Sequence, residues 1–194
     1  MEEMEKAYEE KLTRMSVLAS EFLHLADGGN WMDSEAQENT PQRMAKMFIQ
    51  MTSVEEFDFT MFEAPSQDMV TLAPIPFYTM CEHHTAPFFG SVFISYVPRS
   101  YIAGLSKFPR LVKNLTKGFW TQEELTQAIA EDIEYRLGPL GTGVIIQAEH
   151  LCMAMRGVQQ PGVTTTTSTM KGVYADHTKL ARQEFMAIIA KQLA

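Results

Sequence analysis

Cys81-Glu82-His83-His84 sets a thiol and an imidazole three residues apart, close enough to reach one ion from a single bend. Zinc accepts this mixed sulfur and nitrogen set. The chain has 2 cysteines, and the other, Cys152, stands two residues after His150. Two cysteines in a chain of this kind are reduced buried thiols, an uncommon disulfide or metal ligands. As ligands, Cys81, His84 and Cys152 are three and leave one position open. Structural zinc sites usually close with four protein ligands, whereas catalytic ones keep a place for a water whose pKa falls to about 7. A strand carrying both His150 and Cys152 would turn them to one face, toward the same site. Spacing alone leaves a pair of inert thiols beside a satisfied histidine as the competing reading.

A second group of residues suits an anion. Gly104-Leu105-Ser106-Lys107, followed by Arg110, puts a hydroxyl, backbone N–H groups and two cations at the start of a helix, where phosphate binds. Arg156 and Arg43 would add bidentate contacts if the fold or a neighbouring subunit brings them near. Taken singly, each arginine also reads as an ordinary surface residue. Gln122-Glu123 opens another helix, where a carboxylate would accept from guanine N1–H and the exocyclic amine. Alone, the pair reads equally as solvated residues at a helix start.

The elements that must hold these groups follow from periodicity. Apolar residues at helical spacing from Glu5 to Leu25 predict an amphipathic helix, with Gly28-Gly29 as its stop. Thr40-Pro41 reads as an N-cap and first turn of a second helix, and an acidic loop is expected from Ser53 to Asp68. Strands are predicted over 69–78 and 88–97, with residues 81–87 as the bend between them. Two helices follow, one after Ser106 and one from Thr121, where Thr121-Gln122-Glu123-Glu124 has the form of a capping box. Residues 143–155 and 163–174 predict two more strands, and 179–193 a closing helix.

With 194 residues, 45% hydrophobic and 21% charged, the chain fits a single domain over 1–194. Within it a helical region is expected over about 1–65 and an α+β core over about 66–194. A charged start and the lack of a long apolar stretch argue for a cytoplasmic protein with no membrane partner. A net charge of −8 argues against nucleic acid as a partner, since such binders carry basic surfaces.

Taken in order, these segments resemble GTP cyclohydrolase I. The resemblance is carried by Thr40-Pro41-Gln42-Arg43-Met44-Ala45-Lys46-Met47, Cys81-Glu82-His83-His84, Gly104-Leu105-Ser106-Lys107, Gln122-Glu123, the run from His150 to Val158, and Thr167-Ser168-Thr169-Met170. It implies the tunnelling fold: an antiparallel four-stranded sheet with two helices on one face (ββααββ), plus N-terminal helices and a C-terminal helix. It also implies a homodecamer of two pentamers with active sites at subunit boundaries. By matching position, Cys81, His84 and Cys152 would hold Zn2+, and His83 and His150 would be the acid-base residues. Ser106, Lys107, Arg110 and Arg156 would hold the triphosphate of GTP, with Arg43 reaching in from a neighbour, and Glu123 with Gln122 would hold the guanine. The implied reaction is hydrolysis at C8, loss of formate and rearrangement to 7,8-dihydroneopterin triphosphate, a first step toward folate, biopterin or 7-deazaguanine products.

Three positions depart from the family's usual pattern. Thr121 and Glu124 stand where valine and arginine are usual, and together they create the capping box. Pro109 replaces a small or polar residue. A zinc-stabilised purine or pterin binder without catalysis is the alternative from another class; it would need no acid-base pair. Nitrile reductase or aldolase chemistry on the same scaffold does not call for a Cys/His/Cys site.

Overall fold

The computed structural model describes residues 2–27 and 34–193, which form two compact units dividing between Ser53 and Val54. In the first unit, α1 (Glu2–Asp27) and α2 (Ser34–Thr52) pack through Leu12, Ala45 and Ile49, with Met15 beside them. Leu18, Phe22 and Leu25, which share the helical spacing of that core, are exposed. The expected stop at Gly28-Gly29 lies outside the described residues.

The helix expected to open at Thr40-Pro41 begins six residues earlier, with Pro41 inside it. Glu35, Asn39 and Arg43 recur every four residues and so share a face. Asn39 donates to both the backbone and the carboxylate of Glu35, and the Arg43 guanidinium reaches the same carboxylate at 2.7 Å. This ladder supports the turn ahead of the proline.

The second unit runs β1 (Met61–Glu63), β2 (Val70–Cys81), β3 (Pro87–Val97), β4 (Tyr101–Ala103), α3 (Lys107–Leu115), β5 (Phe119–Trp120), α4 (Gln122–Leu137), β6 (Gly141–His150), α5 (Leu151–Ala154), β7 (Thr164–Gly172) and α6 (Leu180–Leu193). It is a mixed α+β architecture. The main sheet has the order β5-β2-β3-β6-β7, antiparallel except where β5 joins β2 in parallel. A separate two-stranded pair joins β1 to β4.

Alternation along the strands divides the core in two. Val92, Ile94 and Tyr96 of β3 and Val144, Ile146 and Ala148 of β6 turn toward Phe108, Leu111 and Val112 of α3 and Leu125, Ile129 and Ile133 of α4. Phe93 and Ile145, one residue out of phase, turn the other way and pack with Tyr174, Phe185 and Ile189. With both faces covered, β3 and β6 read as nearly continuous apolar runs. Gly90 permits their close approach, because a Cβ there would lie 2.0 Å from the Gln147 carbonyl oxygen.

Three local expectations change. The acidic loop over 53–68 contains β1, and Phe57 and Phe59 pack against the α3/α4 core. That packing draws the segment after Ser53 into the second unit. The strand expected to run through Met155 ends at His150, and Leu151-Cys152-Met153-Ala154 turn into α5, closed by a bond from the Met155 N–H to the Leu151 carbonyl. Cys152 is therefore helical, not a strand residue sharing a face with His150. At α4, the Thr121 hydroxyl accepts from the Glu124 N–H at 3.2 Å and donates to the Glu124 carboxylate at 2.8 Å. Glu124 thus meets the cap's hydroxyl instead of its backbone N–H. Gly138 ends α4 in the left-handed conformation at φ 52°.

The Tyr174 hydroxyl, fully buried, shares a 2.7 Å hydrogen bond with Ser95, and burial pushes its pKa from 10.0 up to about 12. Folding therefore favours the neutral phenol. That contribution is complete below pH 10, where the unfolded phenol is also neutral, and is lost as the pH rises to about 12. Tyr174→Phe is expected to lower Tm at neutral pH and to soften its alkaline decline between pH 10 and about 12, read by thermal unfolding across that range.

Candidate metal centre and its surroundings

Phe88 pairs with Thr79 on one side and His150 on the other, so these three form one row across β2, β3 and β6. β2 and β6 both run antiparallel to β3 and so end at the same edge of the sheet. Cys81 lies two residues beyond the row on one flank and Cys152 two beyond it on the other. Strands two positions apart are about 9.6 Å apart. The gap is bridged because Cys81 ends its strand in a tight turn and α5 folds the chain back.

The turn is specified by the backbone. The Cys81 N–H bonds the Ala86 carbonyl, the Thr85 N–H bonds the Cys81 carbonyl at 2.8 Å, and the Glu82 N–H bonds the Trp120 carbonyl. Thr85 takes a positive φ of 53°, which closes the bend. Sγ of Cys81, a ring nitrogen of His84 and Sγ of Cys152 then lie within 4.8 Å of one another, with the two sulfurs 4.0 Å apart. Tetrahedral zinc with bonds of about 2.3 Å would set its sulfurs about 3.8 Å apart. The donor set and spacing fit such an ion. Both cysteines are free thiols. Burial, then the neighbouring Cys81 thiol, pushes the Cys152 thiol up, while Arg156 pulls it down.

The other expected residues occupy several separate settings. His83 is exposed, with Nδ1 3.9 Å from Cys81 Sγ and Nε2 3.6 Å from the Glu82 carboxylate. His150 stacks on Phe88 with ring centroids 4.4 Å apart and planes 6° from parallel, and its Nε2 lies 2.8 Å from Gln122 Oε1. Burial pushes its pKa down, and the charge of Glu123 partly opposes this. Glu123 therefore stands within electrostatic reach of His150, and Arg156 within reach of Cys152.

Ser106, Lys107 and Arg110 stand together at the start of α3, where the Ser106 hydroxyl makes no capping bond and the Lys107 N–H turns back to the Gly104 carbonyl. Arg110 lines a cavity of about 350 Å³ with Glu55, Glu56, Lys113 and Asn114. Arg43 belongs to the first unit, paired with Glu35. Gln122 is 2% exposed, with its amide engaged inside the chain. Sequence reasoning missed Phe88 as the platform under His150, because only the register of β3 against β6 places it there.

The GTP cyclohydrolase I family model matches residues 19–190. The chain belongs to the GTP cyclohydrolase I family. The protein named GTP cyclohydrolase 1 from Aquifex aeolicus is 43% identical over 169 residues, covering 86% of this chain and 91% of the relative. Its namesake from a Hydrogenobaculum species is 42% identical over the same length, covering 86% and 92%. The Streptococcus agalactiae namesake is 42% identical over 165 residues, covering 82% and 88%. Among solved structures, the apo form of an archaeosine synthase QueF-Like protein aligns with 57% of this chain and 97% of its own, at 19% identity and a TM-score of 0.45. That likeness is too distant to add to the assignment. The protein is thus an enzyme of the GTP cyclohydrolase I family, with a Cys/His/Cys group at the edge of its sheet.

An ion held by Cys81, His84 and Cys152 would tie the end of β2 to α5, so binding is linked to folding. Zinc added to chelated protein is expected to raise Tm, by about 2–4 °C per kcal/mol of binding. Cys152→Ser should lose most of that increment, read by thermal shift with and without zinc.

Proposed function

We propose that this protein hydrolyses GTP at C8, releases formate and yields 7,8-dihydroneopterin triphosphate, with zinc held by Cys81, His84 and Cys152. The observation that carries the reading is the convergence of two thiols and one imidazole within 4.8 Å beside a second, partly buried imidazole, in a chain of this family. Three protein ligands leave room for water, and zinc bound there supplies the Lewis acidity that activates it.

The chain's own residues do the rest. His150, held against Phe88, exchanges protons with the imidazole portion of the purine at N7. His83, exposed beside the turn, serves the later proton transfers at the sugar. Imidazole suits both tasks, because its ring nitrogens can take up or give a proton. Glu123 accepts from guanine N1–H and the exocyclic amine, which fixes the ring over the metal group. Ser106, Lys107, Arg110 and Arg156 hold the triphosphate through charge-assisted hydrogen bonds.

We further propose that both units act as one domain of the tunnelling fold in a homodecamer of two pentamers. The outer edge of β7 and most of the outer edge of β2 have no partner strand among the described residues, and the exposed Leu18, Phe22 and Leu25 of α1 suit contact surface. Arg43 would then reach a neighbour's triphosphate. Among the described residues no helix is long and apolar enough to cross a membrane.

Purified protein incubated with GTP is expected to release one formate per pterin formed, measured by formate assay and by fluorescence after oxidation. A zinc chelator should abolish both. His150→Ala should keep its zinc and lose about 10²–10⁴ in kcat. GTP binding without formate, or full activity in metal-free protein, would refute the reading.

A further inference from the structure

Gln122 is a nearly inaccessible amide at the first turn of α4. Its Nε2 lies 3.1 Å from the Ile146 carbonyl oxygen, 3.0 Å from the Thr165 carbonyl oxygen and 3.1 Å from Thr167 Oγ1. Two of these partners are backbone carbonyls, which can only accept. The amide nitrogen must therefore face β6 and β7. Its oxygen is left to face His150 Nε2 at 2.8 Å. An amide oxygen can only accept, so the imidazole must donate from Nε2. The protonated ring nitrogen, ordinarily a free choice between two, is fixed here by two main-chain carbonyls.

The remaining freedom of the ring is small. Phe88 lies against its face at 4.4 Å and 6°, which sets the ring plane, and the Gln122 bond sets rotation within it. Thr167 adds a second anchor, since its hydroxyl also shares a 2.6 Å bond with Thr126 one turn along α4. The chain of contacts runs from the β6 and β7 backbone through one amide to one imidazole.

We propose that Gln122 is a positioning residue that holds His150 as the Nε2–H tautomer, so that Nδ1 is the nitrogen that exchanges protons with the substrate. This assigns Gln122 a task other than holding guanine, because its donors are engaged by the sheet and its acceptor by His150. Base recognition on α4 is left to Glu123. The catalytic part of the inference rests on the cyclohydrolase reading, and the tautomer part does not.

The test uses zinc-loaded protein carrying 15N-histidine, at a pH near 8 where a free imidazole is neutral, with the His150 signals assigned through a His150→Gln variant. The expected spectrum has His150 Nε2 as the protonated nitrogen and Nδ1 as the bare one. An Nδ1–H tautomer in the unaltered protein overturns the proposal, whether or not any variant folds. Gln122→Met removes donor and acceptor at similar volume. It should give a tautomer mixture and lower kcat for GTP about 10- to 100-fold, with KM changed less than about threefold. Thr167→Val perturbs the same packing but leaves both carbonyls, so it should keep the Nε2–H tautomer. A Gln122→Met enzyme with raised KM and undiminished kcat would return Gln122 to base binding and refute the positioning role. An unaltered protein that makes no formate would end the cyclohydrolase reading, while the tautomer signal would still decide the position of Gln122.

Discussion

Phe88 sits at the centre of a three-residue row, with Thr79 across one ladder and His150 across the other, and what lies beyond that row depends on its register. A slip of one residue on either side would turn every side chain of a strand to the opposite face. Cys81 and Cys152 would then no longer project past the same edge, and His150 would leave the face of Phe88. The register is held by the two cores: Val92 and Ile94 must face the helices α3 and α4, and Phe93 must face Tyr174 and Phe185. Gly90, where any Cβ would strike the β6 backbone, admits little else at the point of closest approach.

The same register explains why two cysteines 71 residues apart in sequence come within 4.0 Å. β3 begins at Pro87, level with Met80 and one residue past His150, so no residue of that strand stands between Cys81 and Cys152. The turn after Cys81 and the single helical turn of α5 fold into that gap from either side. α4 joins through its first residue, since Gln122 spans from the β6 and β7 backbone to His150 while Thr121 caps the helix that carries it. The Cys/His/Cys group, the second imidazole and the amide are thus set by regular structure, with only one short turn between strands involved. Sites built on helices and strands hold their geometry more closely than sites on loops.

Much of this was legible from residue types. The Cys81 to His84 spacing, the β-branched and aromatic run of β3, the Ser106 start of α3 and the Thr121 cap of α4 each rest on local rules that the fold respects. The rest depended on pairing. β1 and β4, three residues each, exist because they pair with one another, and β5 because it meets the end of β2. The end of the strand at His150 was hidden because Leu151-Cys152-Met153-Ala154 continues an apolar run that suits strand or helix, and only the return toward Cys81 selects helix. Gln122 looked like an exposed helix-start amide. Its burial depends on carbonyls of β6 and β7, which no spacing within α4 reveals.

An ion held by three protein ligands with one position open has a distinct signature in X-ray absorption at the zinc edge of the purified protein. The expected shell has two sulfurs at about 2.3 Å and two lighter donors at about 2.0 Å, of which one is an imidazole and the other an exchangeable oxygen. A second imidazole closing the shell, drawn from His83 or His150, or a protein that retains no zinc, would contradict it.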